Sequence, residues 1–146
     1  MSGLVHIIYA STAVDLFDTQ QLSELLKKAR EKNKKLGVSG MLLHSEGNFF
    51  QVLEGPESTV TTLYQEICKD KRHKNATKII QEPIADRVFK DWTMGFLEAT
   101  SDELQSIDGV NDFFQDGHVF TELKSGRAKK LIAAFKQGRW HKLIKH

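Results

Sequence analysis

Gln51 is the side chain best placed for chemistry in this sequence, an uncharged amide inside the apolar run Phe49-Phe50-Gln51-Val52-Leu53-Glu54. Strand alternation puts Phe49, Gln51 and Leu53 on one face of a sheet and Phe50, Val52 and Glu54 on the other. An amide buried there without partners costs about 1–3 kcal/mol, so protein groups or a ligand must meet its donor and its acceptor. Tyr9 ends a second β-rich run, Leu4-Val5-His6-Ile7-Ile8-Tyr9, on the same face as Val5 and Ile7. Alone, it reads as a strand-end aromatic of the core, and Asn33 as a helix cap or a solvated helix residue. The single cysteine, Cys68, falls in helical register with Val60, Leu63, Tyr64 and Ile67 and is expected to be buried. The six histidines show neither HExxH nor a paired metal-ligand spacing.

The elements that must position these residues are legible in outline. After the opening strand, Asp18-Thr19 offers a helix cap, and Leu22, Leu25, Leu26 and Ala29 recur at helical spacing up to a lysine-rich last turn and Gly37. Val38 to Ser45 and Asn48 to Glu54 flank Glu46-Gly47 as a hairpin. Gly55-Pro56 ends the strand and opens a second helix with the stripe Val60, Leu63, Tyr64 and Ile67. Thr77 to Ile84 and Trp92 to Leu97 supply two more strands. The order β-α-β-β-α-β-β predicts an α+β, ferredoxin-like sheet with both helices on one face. Val5, Ile7, Tyr9, Phe49, Gln51, Leu53, Trp92, Met94 and Phe96 are the candidates for that face. Beyond Leu97, Thr100 with Glu103 resembles a capping box, and a further helix is expected over about Gly126 to Gln137.

Composition bounds the class. A chain of 146 residues with 40% hydrophobic and 27% charged residues suits one globular domain. With no apolar run near the length of a membrane span and no leader-like start, a cytoplasmic protein is expected. The net charge of +2 hides an asymmetry, because the segment from Lys124 to His146 holds eight of the 21 basic residues and no acidic one, leaving a net of −6 before it. That segment is a candidate surface for an acidic partner. Two other classes compete. An acylphosphatase-like hydrolase needs an anion cradle and an arginine after the first strand, and Ala10-Ser11-Thr12-Ala13-Val14 has neither glycine nor arginine. An RNA-binding module needs strand aromatics in a basic setting, which Phe49-Phe50 lack, so nucleic acid is not the expected partner.

In order and spacing, several pieces resemble the BLUF family, sensors of blue light using FAD. They are Ile8-Tyr9-Ala10-Ser11, Asn33, Leu36-Gly37-Val38-Ser39-Gly40-Met41-Leu42-Leu43, Phe50-Gln51-Val52-Leu53-Glu54-Gly55, Asp70-Lys71-Arg72-His73 and Asp91-Trp92-Thr93-Met94-Gly95-Phe96. The resemblance implies residues 1–98 as a flavin-binding domain and 99–146 as a helical extension packed on it. It implies FAD held without a covalent bond between the two helices, with Tyr9 and Gln51 at the ring edge, Asn33 on its pyrimidine edge, Leu25 and Ile67 against its faces, and Arg72 and His73 near its sugar and phosphate end. A phenol can give an electron and then a proton to an excited flavin, and an amide can exchange donor for acceptor by rotation or tautomerisation. In the family that exchange makes a new hydrogen bond to the flavin C4 carbonyl and shifts absorption to the red until dark recovery. Trp92 and Met94 match the strand pair, with Met94 also near the ring, that passes the change outward. Two residues depart from the pattern. Lys32 stands where many members carry an amide or histidine, and Glu66 where a basic residue often helps hold the flavin. The expectation is a non-enzymatic, stand-alone photoreceptor whose output runs through a downstream protein partner or a change of assembly such as a homo-oligomer.

Overall fold

Two antiparallel ladders meet on the first strand, and everything at the site follows from their registers. The computed structural model describes residues 3–13, 19–45, 48–69, 73–87, 89, 95–98, 126 and 129. The elements are β1 (Leu4–Ala13), α1 (Thr19–Leu36), β2 (Ser39–Ser45), β3 (Asn48–Pro56), α2 (Glu57–Cys68), β4 (His73–Pro83) and β5 (Gly95–Glu98). The sheet order is β4-β1-β3-β2-β5, with β5 parallel to β2 and every other neighbour antiparallel. This is the split βαβ arrangement expected from the element order, since β3 lies between the parallel strands β1 and β2 that α1 connects.

Leu26 from α1 and Val60 and Leu63 from α2 pack with Val5, Ile7, Tyr9, Leu42, Phe49 and Leu53 in one core cluster, which places both helices on the face expected for them. Phe96 lies opposite Leu42 in the register, while Trp92 and Met94 lie outside the described residues. β1 runs four residues past Tyr9, and β4 begins four residues before Thr77. The physical reason is pairing on both sides of β1: Thr12 faces Asn48 and Ala13 faces His73, so ladder bonds hold residues that strand propensity alone leaves out. α1 ends at Gly37, whose φ of 71° suits a residue without Cβ, and the Val38 amide reaches back to the Asn33 carbonyl at 2.9 Å. That six-to-one bond is a Schellman termination.

The opposite face of the sheet is also buried. Ile8, Ala10, Met41, Leu43, Phe50 and Val52 are all nearly inaccessible, and so is the Glu54 carboxylate. Glu54 Oε1 accepts from Ser39 Oγ at 3.1 Å and from the Phe89 amide at 2.9 Å. Arg87 closes the cluster by donating to Ser39 Oγ, to the Glu54 carbonyl and, at 2.7 Å, to the Gly37 carbonyl. At the outer strand His6 Nε2 meets Glu82 at 2.9 Å, and Lys129 pairs with the same carboxylate at 3.1 Å. Lys129 and Gly126 have helical backbone, as expected for that stretch, and Lys129 ties the basic segment to β4. The capping box at Thr100 and Glu103 and the rest of the C-terminal helix lie outside the described residues.

Cys68 corrects an expectation, because it is exposed. It is the last residue of α2, and its position has turned away from Val60 and Leu63, so the apolar stripe ends one residue earlier at Ile67.

Among the described glycines, Gly40 carries the tightest constraint on side-chain size: a Cβ there would sit 2.0 Å from the Val52 carbonyl oxygen. Backbone cannot yield as a flexible side chain can, so Gly40→Ala is expected to destabilise the protein by about 2 kcal/mol or more. A urea unfolding midpoint within error of wild type refutes that account.

Candidate functional site

Between the two helices and the sheet lies a cavity of about 210 Å³. The sheet contributes Tyr9, Leu42, Phe49, Gln51 and Leu53, α1 contributes Leu25, Leu26, Lys28, Ala29, Lys32 and Asn33, and α2 contributes Leu63, Glu66 and Ile67. The α1 residues fall on one stripe, since 25, 29, 32 and 33 recur at helical spacing. Most of the wall is aliphatic or aromatic. Three neutral polar side chains interrupt it, Tyr9, Gln51 and Asn33, all buried, whereas Lys28, Lys32 and Glu66 are exposed at the rim.

Register brings the polar groups together. Tyr9 stands directly opposite Gln51, and Gln51 opposite Leu42, so a single row crosses the sheet as Lys78, Tyr9, Gln51, Leu42 and Phe96. Directly opposed residues of antiparallel strands share a face with Cβ atoms about 5 Å apart. On the other side of Tyr9 the β1–β4 register slips between Ile8 and Tyr9, a bulge next to the site. Asn33 is fixed from behind, because its own carbonyl closes the α1 terminus.

Tyr9 is 1% exposed and stacks edge-on against Tyr64, with ring centroids 5.1 Å apart at 64°. Burial pushes the Tyr9 phenol well above the usual value of 10, with the neighbouring Cys68 and Tyr64 adding to the shift. Tyr64 is shifted the same way, first by burial and then by its hydrogen bond to Cys68. Lys78 Nζ lies 5.7 Å from the Tyr64 ring centroid, a cation over the outer side of the tyrosine pair.

Of the residues singled out in the sequence, Tyr9, Leu25, Asn33, Gln51 and Ile67 line one cavity. His73 is the first residue of β4, opposite Ala13. Its side chain, with Arg72, Trp92 and Met94, lies outside the described residues. The sequence assigns Tyr64 to the helix stripe, and its contact with Tyr9 joins α2 to β1, which no local pattern signals. The two departures, Lys32 and Glu66, are ion-paired with each other from α1 to α2 across the rim. Their opposite charges on facing helices were the available signal.

An apolar slot with a phenol and an amide in its floor and a second amide on its α1 wall suits a flat heteroaromatic ligand whose edge carries hydrogen-bonding groups. Residues 4–95 match the family model for sensors of blue light using FAD, and the chain belongs to that family, BLUF. The photoactivated adenylate cyclase subunit beta of Euglena gracilis is 32% identical over 124 residues, which are 84% of this chain and 14% of that protein. The chain thus spans about one seventh of the length of that curated relative. Among solved structures, BlsA in its ground state superposes with a TM-score of 0.76 at 26% identity, covering 93% of this chain and 89% of that one. BlrB, a BLUF protein in its dark state, gives 0.70 at 27% identity, covering 92% and 98%. In chemistry the lining suits the family's cofactor, since Leu25 and Ile67 are apolar residues on facing helices and Gln51 and Asn33 carry amide donors and acceptors. Among the described residues no helix is long and apolar enough to cross a membrane.

The chain has two tyrosines, and burial raises both. In the unfolded chain they ionise near pH 10, so above that pH the folded state binds more protons and loses stability as pH rises. Folded protein is therefore expected to show little phenolate absorbance just above pH 10, and to gain it together with unfolding. Ordinary titration of both phenols in protein that circular dichroism shows to be folded contradicts the burial.

Proposed function

We propose that light is read in this chain by Tyr9 and Gln51 at the floor of the cavity, with FAD held there by non-covalent contacts alone. The cofactor supplies a ring that absorbs blue light and, once excited, accepts an electron. Tyr9 is the donor. Its neutral buried phenol gives the electron and then its proton, and no bulk water competes for that proton in an apolar wall. Gln51, the direct cross-strand neighbour, answers by exchanging amide donor and acceptor through rotation or tautomerisation. The changes reverse in the dark, so the domain senses and does not turn over a substrate. Leu25 and Ile67 clasp the ring, Asn33 holds its polar edge, and Arg72 and His73 serve the sugar and phosphate end.

The Tyr9 to Gln51 register is the observation that carries this reading, because electron donor and hydrogen-bond switch must be neighbours on one wall. From Gln51 the row through Leu42 leads to β5, and we assign the onward step to Trp92 and Met94 in the chain just before that strand. Output runs to a downstream protein partner or a second copy of the chain. The basic segment from Lys124 to His146 is the docking candidate, and the Lys129 to Glu82 ion pair supports its being anchored at the β4 edge of the sheet. The Euglena relative bears the name of a cyclase, an effector that lies outside the span this chain matches.

Purified protein is expected to bind FAD and to show a reversible red shift under blue light. Tyr9→Phe keeps the volume and removes the hydroxyl, so it should retain flavin and lose the shift, and Gln51→Ala should do the same. An absorption spectrum before and after illumination decides the matter: a normal photoshift in either variant removes that residue from the mechanism, and protein that takes up no flavin removes the whole reading.

A further inference from the structure

We propose that Glu66 tunes which flavin tail the cavity accepts, by holding the Lys32 ammonium away from a ligand phosphate. The inference rests on the flavin reading of the cavity and extends it to the rim. Among the described residues, the charged side chains lining the cavity are Lys28, Lys32 and Glu66, exposed and standing on the two helices that frame the opening. A flavin whose ring entered the apolar slot would have its tail at the opening that they frame. Lys32 and Glu66 are bonded to each other there, each with about half of its side chain, 51%, in solvent.

Charge on the two helices gives the pair its meaning. α1 carries six Lys or Arg against two Glu, whereas α2 carries Glu57 and Glu66 and no basic residue. Glu66 is thus the carboxylate that α2 sets against the basic rim of α1. A phosphate approaching Lys32 must displace Glu66 and then sit beside the freed carboxylate, like charge against like charge. An uncharged polyol tail makes no such exchange. Glu66 accordingly opposes phosphorylated tails and Lys32 favours them, while the ring contacts deeper in the cavity are common to all flavins. Arg72 and His73, assigned to the same end, act equally in every variant below and cancel from the comparison.

Riboflavin and FMN share the ring and differ by the phosphate, so the ratio of their dissociation constants isolates the rim. Exposed ion pairs of this kind are worth up to about fivefold in affinity. Glu66→Gln is expected to tighten FMN by about that factor and leave riboflavin unchanged, with the gain fading at high salt. Lys32→Gln is expected to weaken FMN relative to riboflavin. Quenching of flavin fluorescence at low and high salt measures both, with circular dichroism confirming folded protein. Equal shifts for the two flavins in Glu66→Gln, or no shift in either, overturn the role of Glu66 while the flavin site stands. Wild-type protein that binds neither flavin overturns the flavin reading and this inference with it.

Discussion

A phenol and an amide sit side by side on an otherwise apolar wall, and the rest of the structure answers to the cost of keeping them there. A buried polar group left without a partner forfeits roughly 1–3 kcal/mol, so a wall that carries Tyr9 and Gln51 has to be built with polar company for both. The hairpin of β2 and β3 sets Gln51 in register with Tyr9 on one side and Leu42 on the other. The helices then close over the row from above.

Asn33 shows how the constraint spreads. Its side chain faces the cavity, but its position comes from its carbonyl, held by the Val38 amide past a left-handed Gly37. The Gly37 carbonyl in turn accepts from Arg87, which also bonds Ser39 and the Glu54 backbone. A polar cluster on one face of the sheet thus anchors the helix end that carries a cavity-lining amide on the other. Burying Glu54 completely is tolerable because Ser39 and the Phe89 amide both donate to it.

Much of this was legible in the chain, for reasons that can be named. Gln51 and Tyr9 stood out because period-two alternation put them on an apolar face, and α1 declared its end through lysines and Gly37. The helix-covered face followed from topology. What escaped was decided by distant partners. Neither ladder of β1 is visible locally, so its extension to Ala13 and the early start of β4 were missed. Cys68 fitted the apolar period but sits where α2 stops, and periodicity carries no information about where cover ends. The Tyr9 to Tyr64 contact and the Lys32 to Glu66 pair join residues more than thirty positions apart, and only the second leaves a trace in the sequence, as opposite charge on two helices.

The outermost strand invites a mechanical reading. β5 has four residues, and its described register runs along β2 only, whereas β1 is braced by long ladders on both flanks. With each backbone bond contributing about 1 kcal/mol net, slipping or peeling so short a ribbon costs only a few kcal/mol, while moving β1 would tear the sheet. Among the described residues, the row that starts at the doubly braced centre therefore ends at a strand paired on one side. Such a gradient of bracing lets a small rearrangement at a fixed point become displacement where fewer ladder bonds hold the chain, as a lever does about its fulcrum.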